Sequence, residues 1–339
     1  MHSSSPLDSI LRVPLVCAPT PLQYLPRLTE ELRGPRIWIK RDDLTGLATG
    51  GNKTRKLEFL MAEAQSEGAD CVITAGGTQS NHCRQTAAAA AKLKMDCHLV
   101  LGGQPTDVAL GNLLLDRLLG AQVHWVNPEQ RVATMDQLAE QLRTHGQSPY
   151  VIPIGGSNSL GTLGYVAAMR KLHDQMRQHD VLFDTIVFAT SSGGTQAGLM
   201  LGARLEDFAG KLLAISIDQV PDDDSDVKFT EHLRETAAEA ANRLGESVDS
   251  TDFEPCMNYD FLGQGYGVVG ELERDAIHLM ARTEGVLVGP VYTGRALGGM
   301  VQLIREGDIG ADQTVLFWHT GDEAALHAYS KELVHDGSA

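Results

Sequence analysis

The chain has 339 residues, of which 42% are hydrophobic, enough to build substantial cores and to form two domains. Its formal net charge of −16 argues against nucleic acid or an anionic membrane surface as a partner, because both carry negative charge. No stretch approaches the length of a transmembrane helix, and Arg12 and Pro14 interrupt the apolar residues at 10–18, which makes them a poor signal peptide.

The cysteines show neither a CxxC pair nor the spacing of metal ligands, so they predict reduced thiols, no disulfide and no bound metal. They are Cys17, Cys71, Cys83, Cys97 and Cys256. This pattern predicts a globular protein of the cytoplasm. Cys83 lies next to a candidate motif, but a small buried helix residue is a better interpretation of it than a nucleophile.

The first informative element is an apolar strand pattern at 37–39, followed by the glycine-rich segment GGNKTRK at 50–56. A lysine at such a strand-to-helix turn lies near backbone N–H donors, which disfavour the ammonium form and favour a nucleophilic amine. Lys53 is therefore the candidate nucleophile. Arg55 and Lys56 are expected to be surface or loop-closing residues.

The next predicted unit is a strand at 71–75, followed by the polar loop TQSNH at 78–82 and a helix. The loop places Ser80, Asn81 and His82 at a helix N-terminus, where they could bind a small anion such as a carboxylate. Helix capping is the simpler interpretation of these side chains, and it is compatible with binding.

Strand and helix patterns then alternate as far as residue 144. The predicted strands are 97–101 and 123–126, and the predicted helices are 110–119 and 132–144. Alternation of this kind predicts a parallel sheet with helices on both faces. The first half of the chain therefore contains a small α/β unit of its own.

A second series begins with a strand at 185–189, a loop of serines and glycines, and a helix at 196–205. Glycines let the backbone approach an anion, hydroxyls donate to it, and a helix N-terminus adds oriented N–H groups. The loop therefore predicts a phosphate cradle, although an ordinary strand-to-helix turn is an equally good interpretation of the loop alone. The residues of this loop are Ser191, Ser192, Gly193, Gly194 and Thr195.

The last part of the chain adds an acidic segment and one more strand. The segment 218–226 is rich in Asp, but its spacing fits no metal-binding loop, so a solvated loop is expected. The strand predicted at 314–319 is followed directly by Thr320. Ligands of open α/β sheets sit at the carboxyl ends of the strands, which makes Thr320 a candidate site residue.

Four motifs occur in a characteristic order: GGNKTRKLEFL at 50–60, TQSNH at 78–82, GYGV at 265–268 and PVYTG at 290–294. Together they resemble the pyridoxal-phosphate enzymes of the D-cysteine desulfhydrase and aminocyclopropane-carboxylate deaminase family. The resemblance extends from Pro19 to about Tyr329, which is nearly the whole chain.

This resemblance implies the tryptophan-synthase-β type of fold (fold type II), an α/β architecture of two open twisted sheets with flanking helices. It implies a large domain of residues 1–54 and 165–339, a small α/β domain of residues 55–164, and an active site between them. It further implies pyridoxal 5'-phosphate as the cofactor, a small amino acid as the substrate, and a homodimer.

The resemblance also implies roles for the cofactor-binding residues. Lys53 would bond covalently to the cofactor aldehyde and later act as the base near the substrate Cα. Asn81 would contact the phenolic oxygen, Thr320 the pyridine nitrogen, and the loop 191–195 the phosphate. A neutral hydroxyl at 320 would make the ring a weaker electron sink than a carboxylate would.

On the substrate side, Ser80 and the neighbouring N–H groups would receive the carboxylate, with Asn81, His82 and Tyr292 as further contacts. Tyr266 and Tyr292 would lie against the substrate, and either hydroxyl could transfer the second proton of the reaction. The catalytic residues implied are Lys53, Ser80, Tyr266 and Tyr292. Taken singly, a tyrosine in a glycine-rich loop is more often a packing residue.

Three residues favour the desulfhydrase branch. The deaminase branch typically has Glu after the motif tyrosine, Gln after the SN pair and Leu in the HTG block, whereas this chain has Thr293, His82 and Thr320. The expected reaction is α,β-elimination from D-cysteine, which yields pyruvate, ammonia and hydrogen sulfide.

Three other positions depart from both branches. Gly289 stands where Asp commonly precedes PVY, Asp322 stands where the HTG block usually continues with Gly, and Arg295 replaces a Lys. Ring opening of aminocyclopropane carboxylate, or elimination from another β-substituted alanine such as L-cysteate, therefore stays open. A non-catalytic α/β protein that binds a phosphate ligand is an alternative of another class, and the absence of a GxGxxG fingerprint counts against its nucleotide-binding form.

Overall fold

The strands and helices are seen in a computed structural model, which describes residues 5–220 and 225–334. The strands in chain order are β1 (Leu22–Tyr24), β2 (Arg36–Arg41), β3 (Cys71–Gly77), β4 (Asp96–Gly102), β5 (Gln122–Val126), β6 (Pro149–Val151), β7 (Thr185–Thr190), β8 (Lys211–Ser216), β9 (Cys256–Asn258) and β10 (Thr314–His319). The helices are α1 (Pro6–Ser9), α2 (Pro26–Leu32), α3 (Lys53–Ser66), α4 (Asn81–Leu93), α5 (Gly111–Leu118), α6 (Arg131–Thr144), α7 (Ser159–His179), α8 (Gly194–Leu205), α9 (Ser225–Arg243), α10 (Glu271–Glu284), α11 (Thr293–Glu306) and α12 (Ser330–Leu333).

These strands form two sheets. The larger sheet has the order β1-β2-β10-β7-β8-β9, and the smaller has the order β5-β4-β3-β6. The smaller sheet is parallel throughout, and so is the larger one except for β1, which pairs antiparallel with β2. The predicted α/β class with two open sheets is confirmed. The antiparallel edge strand β1 has no counterpart in the predicted alternation.

The central strands are apolar on both faces because helices cover both sides of each sheet. In β7 every residue is buried. Val187 and Ala189 pack in one core with α10 and α11, whereas Ile186 and Phe188 pack in another with α7 and α8. The two-residue period of a strand sends alternate side chains into these two cores, which is why β7 reads as an uninterrupted apolar run.

The helices α3 and α7 pack tightly against each other. At Gly164 of α7 an added Cβ would lie 2.4 Å from the Arg55 carbonyl oxygen, so this position has room for glycine alone. The smaller sheet uses strands between residues 71 and 151, and the larger sheet uses strands before 42 and after 184. The division into domains at 54/55 and 164/165 stays a prediction. Among the described helices, none combines the length and the apolar character that crossing a bilayer requires.

Candidate active site

A cavity of about 670 Å³ lies at the carboxyl ends of strands from both sheets. The ends of β3 and β4 line it from the smaller sheet, and the ends of β7 and β10 line it from the larger one. The predicted site residues that line it are Lys53, Ser80, Asn81, His82, Ser191, Ser192, Gly193, Thr195, Tyr266, Tyr292 and Thr320. Gly194 does not line the cavity; its N–H donates a 3.1 Å hydrogen bond to Ser157 Oγ.

The lysine turn depends on glycine. Gly50 has φ of +73°, and a Cβ there would lie 1.8 Å from the Asp43 carbonyl oxygen, so a larger residue is excluded. The Asn52 N–H donates to the Thr320 carbonyl oxygen at 2.9 Å. This hydrogen bond brings Lys53, at the start of α3, next to the end of β10.

A buried ion pair fixes α3 behind the turn. The Asp42 carboxylate accepts hydrogen bonds from Arg55 Nε and Nη2 (both 2.7 Å), the Tyr165 hydroxyl (2.8 Å) and Trp318 Nε1 (2.8 Å). Burial raises the pKa of Asp42, but the Arg55 guanidinium outweighs burial and holds that pKa well below its usual range. The expectation of a surface or loop-closing Arg55 was wrong, because the side chain is buried in this pair.

Lys53 has an amine of lowered basicity. Burial lowers the pKa of Lys53 to about 8, while a hydrogen bond with Lys56 and the charges of Asp218 and Asp322 oppose that shift. A neutral amine is therefore accessible near neutral pH. The lowered pKa was predicted from nearby backbone N–H groups, but burial is its main cause.

Lys56 was expected at the surface or closing a loop, yet it is fully buried beside the serine-glycine loop. Its Nζ lies 3.0 Å from the Gly155 carbonyl oxygen and 3.2 Å from Ser157 Oγ. Burial, followed by the charge of Lys53, lowers the pKa of Lys56 well below its ordinary value. A lysine one helical turn after Lys53 lies on the same side of the helix, which explains why both amines meet here.

The SNH segment forms the first turn of α4. Ser80 Oγ accepts the backbone N–H three residues later at 3.2 Å, so this serine both caps the helix and lines the cavity. Asn81 Nδ2 donates to Asn52 Oδ1 at 3.4 Å. His82 Nε2 lies 2.8 Å from the Thr74 hydroxyl, and burial, followed by the charges of two lysines, holds the pKa of His82 well below its usual value. His82 is therefore neutral.

The serine-glycine loop meets two other segments of the cavity wall. Ser192 Oγ lies 2.9 Å from Ser157 Oγ, and Thr195 Oγ1 accepts from Asn52 Nδ2 at 3.1 Å. Gly193 immediately precedes α8 and turns the chain with φ of +81°. A side chain at this position would collide with α9. A hydrogen-bonded chain therefore runs from Asn81 through Asn52 to the start of α8.

Asp218 lines the cavity and accepts a 2.9 Å hydrogen bond from Ser191 Oγ. Its side chain keeps exposed surface, and the partial burial beside Ser191 raises its pKa. It was expected to begin a solvated acidic loop. Residues 221–224 of that segment lie outside the described residues.

Tyr266 and Tyr292 form a pair on the cavity wall. Their hydroxyl oxygens are 2.6 Å apart, and their rings meet edge to face with centroids 5.9 Å apart. Burial is the main cause that raises the pKa of both phenols, although Tyr266 keeps 40% of its surface exposed. Both tyrosines therefore keep a proton at neutral pH.

Two buried polar atoms of the cavity wall have no hydrogen-bond partner among the described residues. They are Asn81 Oδ1 and Thr190 Oγ1. An unpaired buried polar atom costs about 1–3 kcal/mol, so a ligand that pairs with it stabilises the site. Together with a reactive amine and the N-terminus of α8, these atoms fit a polar group that carries an aldehyde and a phosphate.

The sequence prediction missed part of the cavity wall. Asn52 lies within the GGNKTRK motif and could have been found from it, and Gly155 belongs to another glycine-rich polar turn. Arg131 and Tyr329 also line the cavity, but no motif marks either of them.

Comparisons with known proteins give the family. The chain matches the model for pyridoxal-phosphate dependent enzymes over residues 13–321. The D-cysteine desulfhydrase of Klebsiella pneumoniae (strain 342) is 40% identical over 336 residues, which cover 95% of this chain and 97% of the relative. The mitochondrial bifunctional D-cysteine desulfhydrase/1-aminocyclopropane-1-carboxylate deaminase of Arabidopsis thaliana is 40% identical over 324 residues, with 91% and 77% covered.

A solved structure of an ACC deaminase homologue is 38% identical to this chain, with a TM-score of 0.87 and 97% of both chains covered. The resemblance drawn from the four motifs is thereby confirmed. The chain belongs to the pyridoxal-phosphate dependent enzymes, in the group that contains D-cysteine desulfhydrases and 1-aminocyclopropane-1-carboxylate deaminases.

Proposed function

We propose that this enzyme catalyses α,β-elimination from D-cysteine, with pyruvate, ammonia and hydrogen sulfide as products. The observation that carries the choice of branch is the position of Thr293, where the deaminase pattern has Glu. Thr293 is fully buried, and its hydroxyl bonds the Gly289 N–H (2.7 Å) and the Gly321 carbonyl oxygen (3.1 Å). This position therefore supplies no acid to the cavity for ring opening.

The cofactor, pyridoxal phosphate, supplies an electron sink for the negative charge that develops at the substrate Cα. The serine-glycine loop and the α8 N-terminus would hold its phosphate, with Lys56 beside them. Ser80 and the first N–H groups of α4 would orient the substrate carboxylate. Lys53 would accept the Cα proton, because its pKa of about 8 leaves part of the amine neutral at neutral pH.

The tyrosine pair would supply the second proton. Both phenols are protonated at neutral pH, and their 2.6 Å contact lets Tyr266 replace a proton that Tyr292 gives up. The leaving thiolate is the group that receives it. Thr320, at the end of β10, offers a neutral hydroxyl and so leaves the elimination to depend on a good leaving group.

The test is a substrate panel on the purified enzyme: D-cysteine, L-cysteine, L-cysteate and 1-aminocyclopropane-1-carboxylate. We expect pyruvate and sulfide from D-cysteine and little product from the cyclopropane. Lys53→Ala should abolish turnover while the protein stays folded, and Thr320→Ala should reduce activity less. Ring opening with inert D-cysteine would reverse the choice of branch, and activity on L-cysteate would keep elimination but change the leaving group.

We also propose that the enzyme is a cytoplasmic homodimer with large and small domains at the predicted boundaries, acting on a small amino acid without nucleic-acid partners. The net charge of −16 and the family relationship support this proposal. Light scattering during gel filtration would measure the mass of the assembly, and 36.6 kDa per chain makes a dimer easy to distinguish from a monomer.

A further inference from the structure

Asp322 is a buried carboxyl group in an unfavourable setting. It has no exposed surface, and neither carboxyl oxygen makes a hydrogen bond of regular geometry within the described part of the chain. Its φ of +90° lies in the left-handed region, which non-glycine residues rarely adopt. A strained backbone and a buried carboxyl without hydrogen bonds of regular geometry both lower stability, so stability does not explain an Asp at this position.

Asp322 lies directly against Gly289. A Cβ added at Gly289 would lie 2.5 Å from the Cβ, the carbonyl carbon and the carbonyl oxygen of Asp322. The two departures from the family pattern, Gly for Asp at 289 and Asp for Gly at 322, therefore meet in space. The absence of a side chain at Gly289 therefore leaves room for the Cβ and the backbone carbonyl of Asp322.

This contact continues into the catalytic segment. The Gly289 carbonyl oxygen accepts the Gly294 N–H at 2.7 Å, and the Thr293 hydroxyl joins Gly289 to Gly321. Tyr292 lies inside this closed loop of hydrogen bonds, immediately before α11. After burial, the negative charge of Asp322 is among the causes that raise the pKa of both Tyr266 and Tyr292.

Groups from several segments surround the Asp322 carboxyl. Burial, followed by the charge of Glu323, raises the pKa of Asp322, whereas the charge of Arg84, the Val291 N–H and the Asn112 amide oppose that shift. Asn112 belongs to α5, and its Oδ1 accepts from Arg84 Nε at 2.7 Å. Groups of α5 and of the segment before α11 therefore both lie beside the carboxyl.

We propose that Asp322 is a positioning residue for catalysis: packed against Gly289, with its carboxyl beside the Val291 N–H, it holds the segment 289–292 so that Tyr292 meets Tyr266 and the substrate. This inference rests on the proposed role of the tyrosine pair. It assigns to position 322 the carboxyl that the family pattern carries at 289. Asp322 therefore serves to position Tyr292 and does not serve the stability of the fold.

The first test compares Asp322→Gly with the wild type. Glycine relieves the left-handed strain and removes the buried carboxyl, so the melting temperature of the cofactor-free protein should rise by about 2 °C or more. At the same time kcat for D-cysteine should fall about tenfold, with KM changed far less. A variant that is less stable and less active, or one that keeps full activity, would overturn the proposal.

The second test keeps a hydrogen-bond acceptor of the same size at position 322. Asn tolerates the left-handed conformation and its amide oxygen can accept the Val291 N–H, so Asp322→Asn keeps that contact. Its kcat should be at least about fivefold higher than that of Asp322→Gly, whereas Asp322→Ala, which has no acceptor, should be no more active than Asp322→Gly. If Asp322→Asn recovers nothing, or Asp322→Ala recovers as much, the side chain has no positioning role.

Asp116→Asn is the matched control. Asp116 is also buried with both carboxyl oxygens unpaired among the described residues, but it lies on α5 outside the cavity wall. This variant should gain stability and keep the wild-type kcat; a loss of kcat as large as that of Asp322→Gly would overturn the proposal.

Exchange of the substrate Cα proton in D₂O separates the positioning role of Asp322 from the proposed elimination of D-cysteine. A wild type inert on D-cysteine but active in Cα exchange contradicts the proposed reaction alone, and exchange rates then replace kcat in these comparisons.

Discussion

At the scale of single residues, burial sets the proton states of the site more than neighbouring charges do. It lowers the pKa of Lys53 and His82 and raises the pKa of Tyr266 and Tyr292. The same physical cause thus favours a neutral amine and neutral phenols in one cavity. Low dielectric surroundings disfavour the charged form of every group, whichever its sign.

The Lys53 amine should therefore lose its proton at a lower pH than an ordinary lysine does, when the protein is free of cofactor. We expect its rate of acetylation to rise with pH and to level off above about pH 8, because the folded-state pKa is about 8 and not the usual 10.5. Peptide mass spectrometry after brief labelling at several pH values measures this. Exposed lysines such as Lys228 serve as the internal reference, and a Lys53 profile that follows theirs contradicts the assignment.

Tyr292→Phe removes one hydroxyl of the pair and keeps the ring. We expect kcat to fall by about 10²-fold and KM to change little, since general acid catalysis contributes at least that much. Tyr150→Phe is a suitable control, because Tyr150 bonds Glu63 outside the cavity wall (2.5 Å). Equal effects on KM and kcat would show that Tyr292 anchors the substrate instead of moving a proton.

At the scale of elements, the alternation of strands and helices was predictable, but not every helix start was. The α4 helix begins at Asn81, where a helix N-terminus was expected, whereas the helix predicted at 196–205 begins at Gly194. The first turn of α8 is glycine-rich, so its local pattern looks like loop and only the tertiary fold makes it helical. Site residues concentrate in these first turns, so the motifs located the site better than the periodicity did.

The position of α3 depends on the buried pair of Asp42 and Arg55. Arg55→Met should lower the free energy of unfolding by about 3–5 kcal/mol, because it leaves the Asp42 carboxylate buried without its cation. Denaturant titration of the cofactor-free protein measures the loss. The surface pair of Arg177 and Asp174 offers the contrast, since Arg177→Met should cost less than about 1 kcal/mol. Similar losses for the two variants would show that the buried pair does not anchor α3.

At the scale of the whole molecule, the cavity lies where strand ends of both sheets meet. Which strands lie side by side could not be read from the sequence, because the order β2-β10-β7 joins residues nearly 300 positions apart along the chain. The burial of Lys56 could not be read from the sequence either. A lysine in a helix is ordinarily solvated, and only the packing of α3 on its neighbours encloses this one. The motif residues themselves were predictable because their spacing is specific.

Removal of the cofactor should loosen the two walls of the cavity together. A ligand that binds only the native state stabilises the elements that contact it, and the candidate contacts here come from the first turns of α3, α4 and α8. We expect amide hydrogen exchange in the cofactor-free protein to accelerate at 50–54, 78–82 and 190–195. The helix α10, which packs in the core of the larger sheet and contributes no residue to the cavity wall, should exchange at the same rate with and without cofactor. Faster exchange confined to one sheet would show that the cofactor contacts a single wall, and unchanged exchange at all three segments would contradict the assignment of the site.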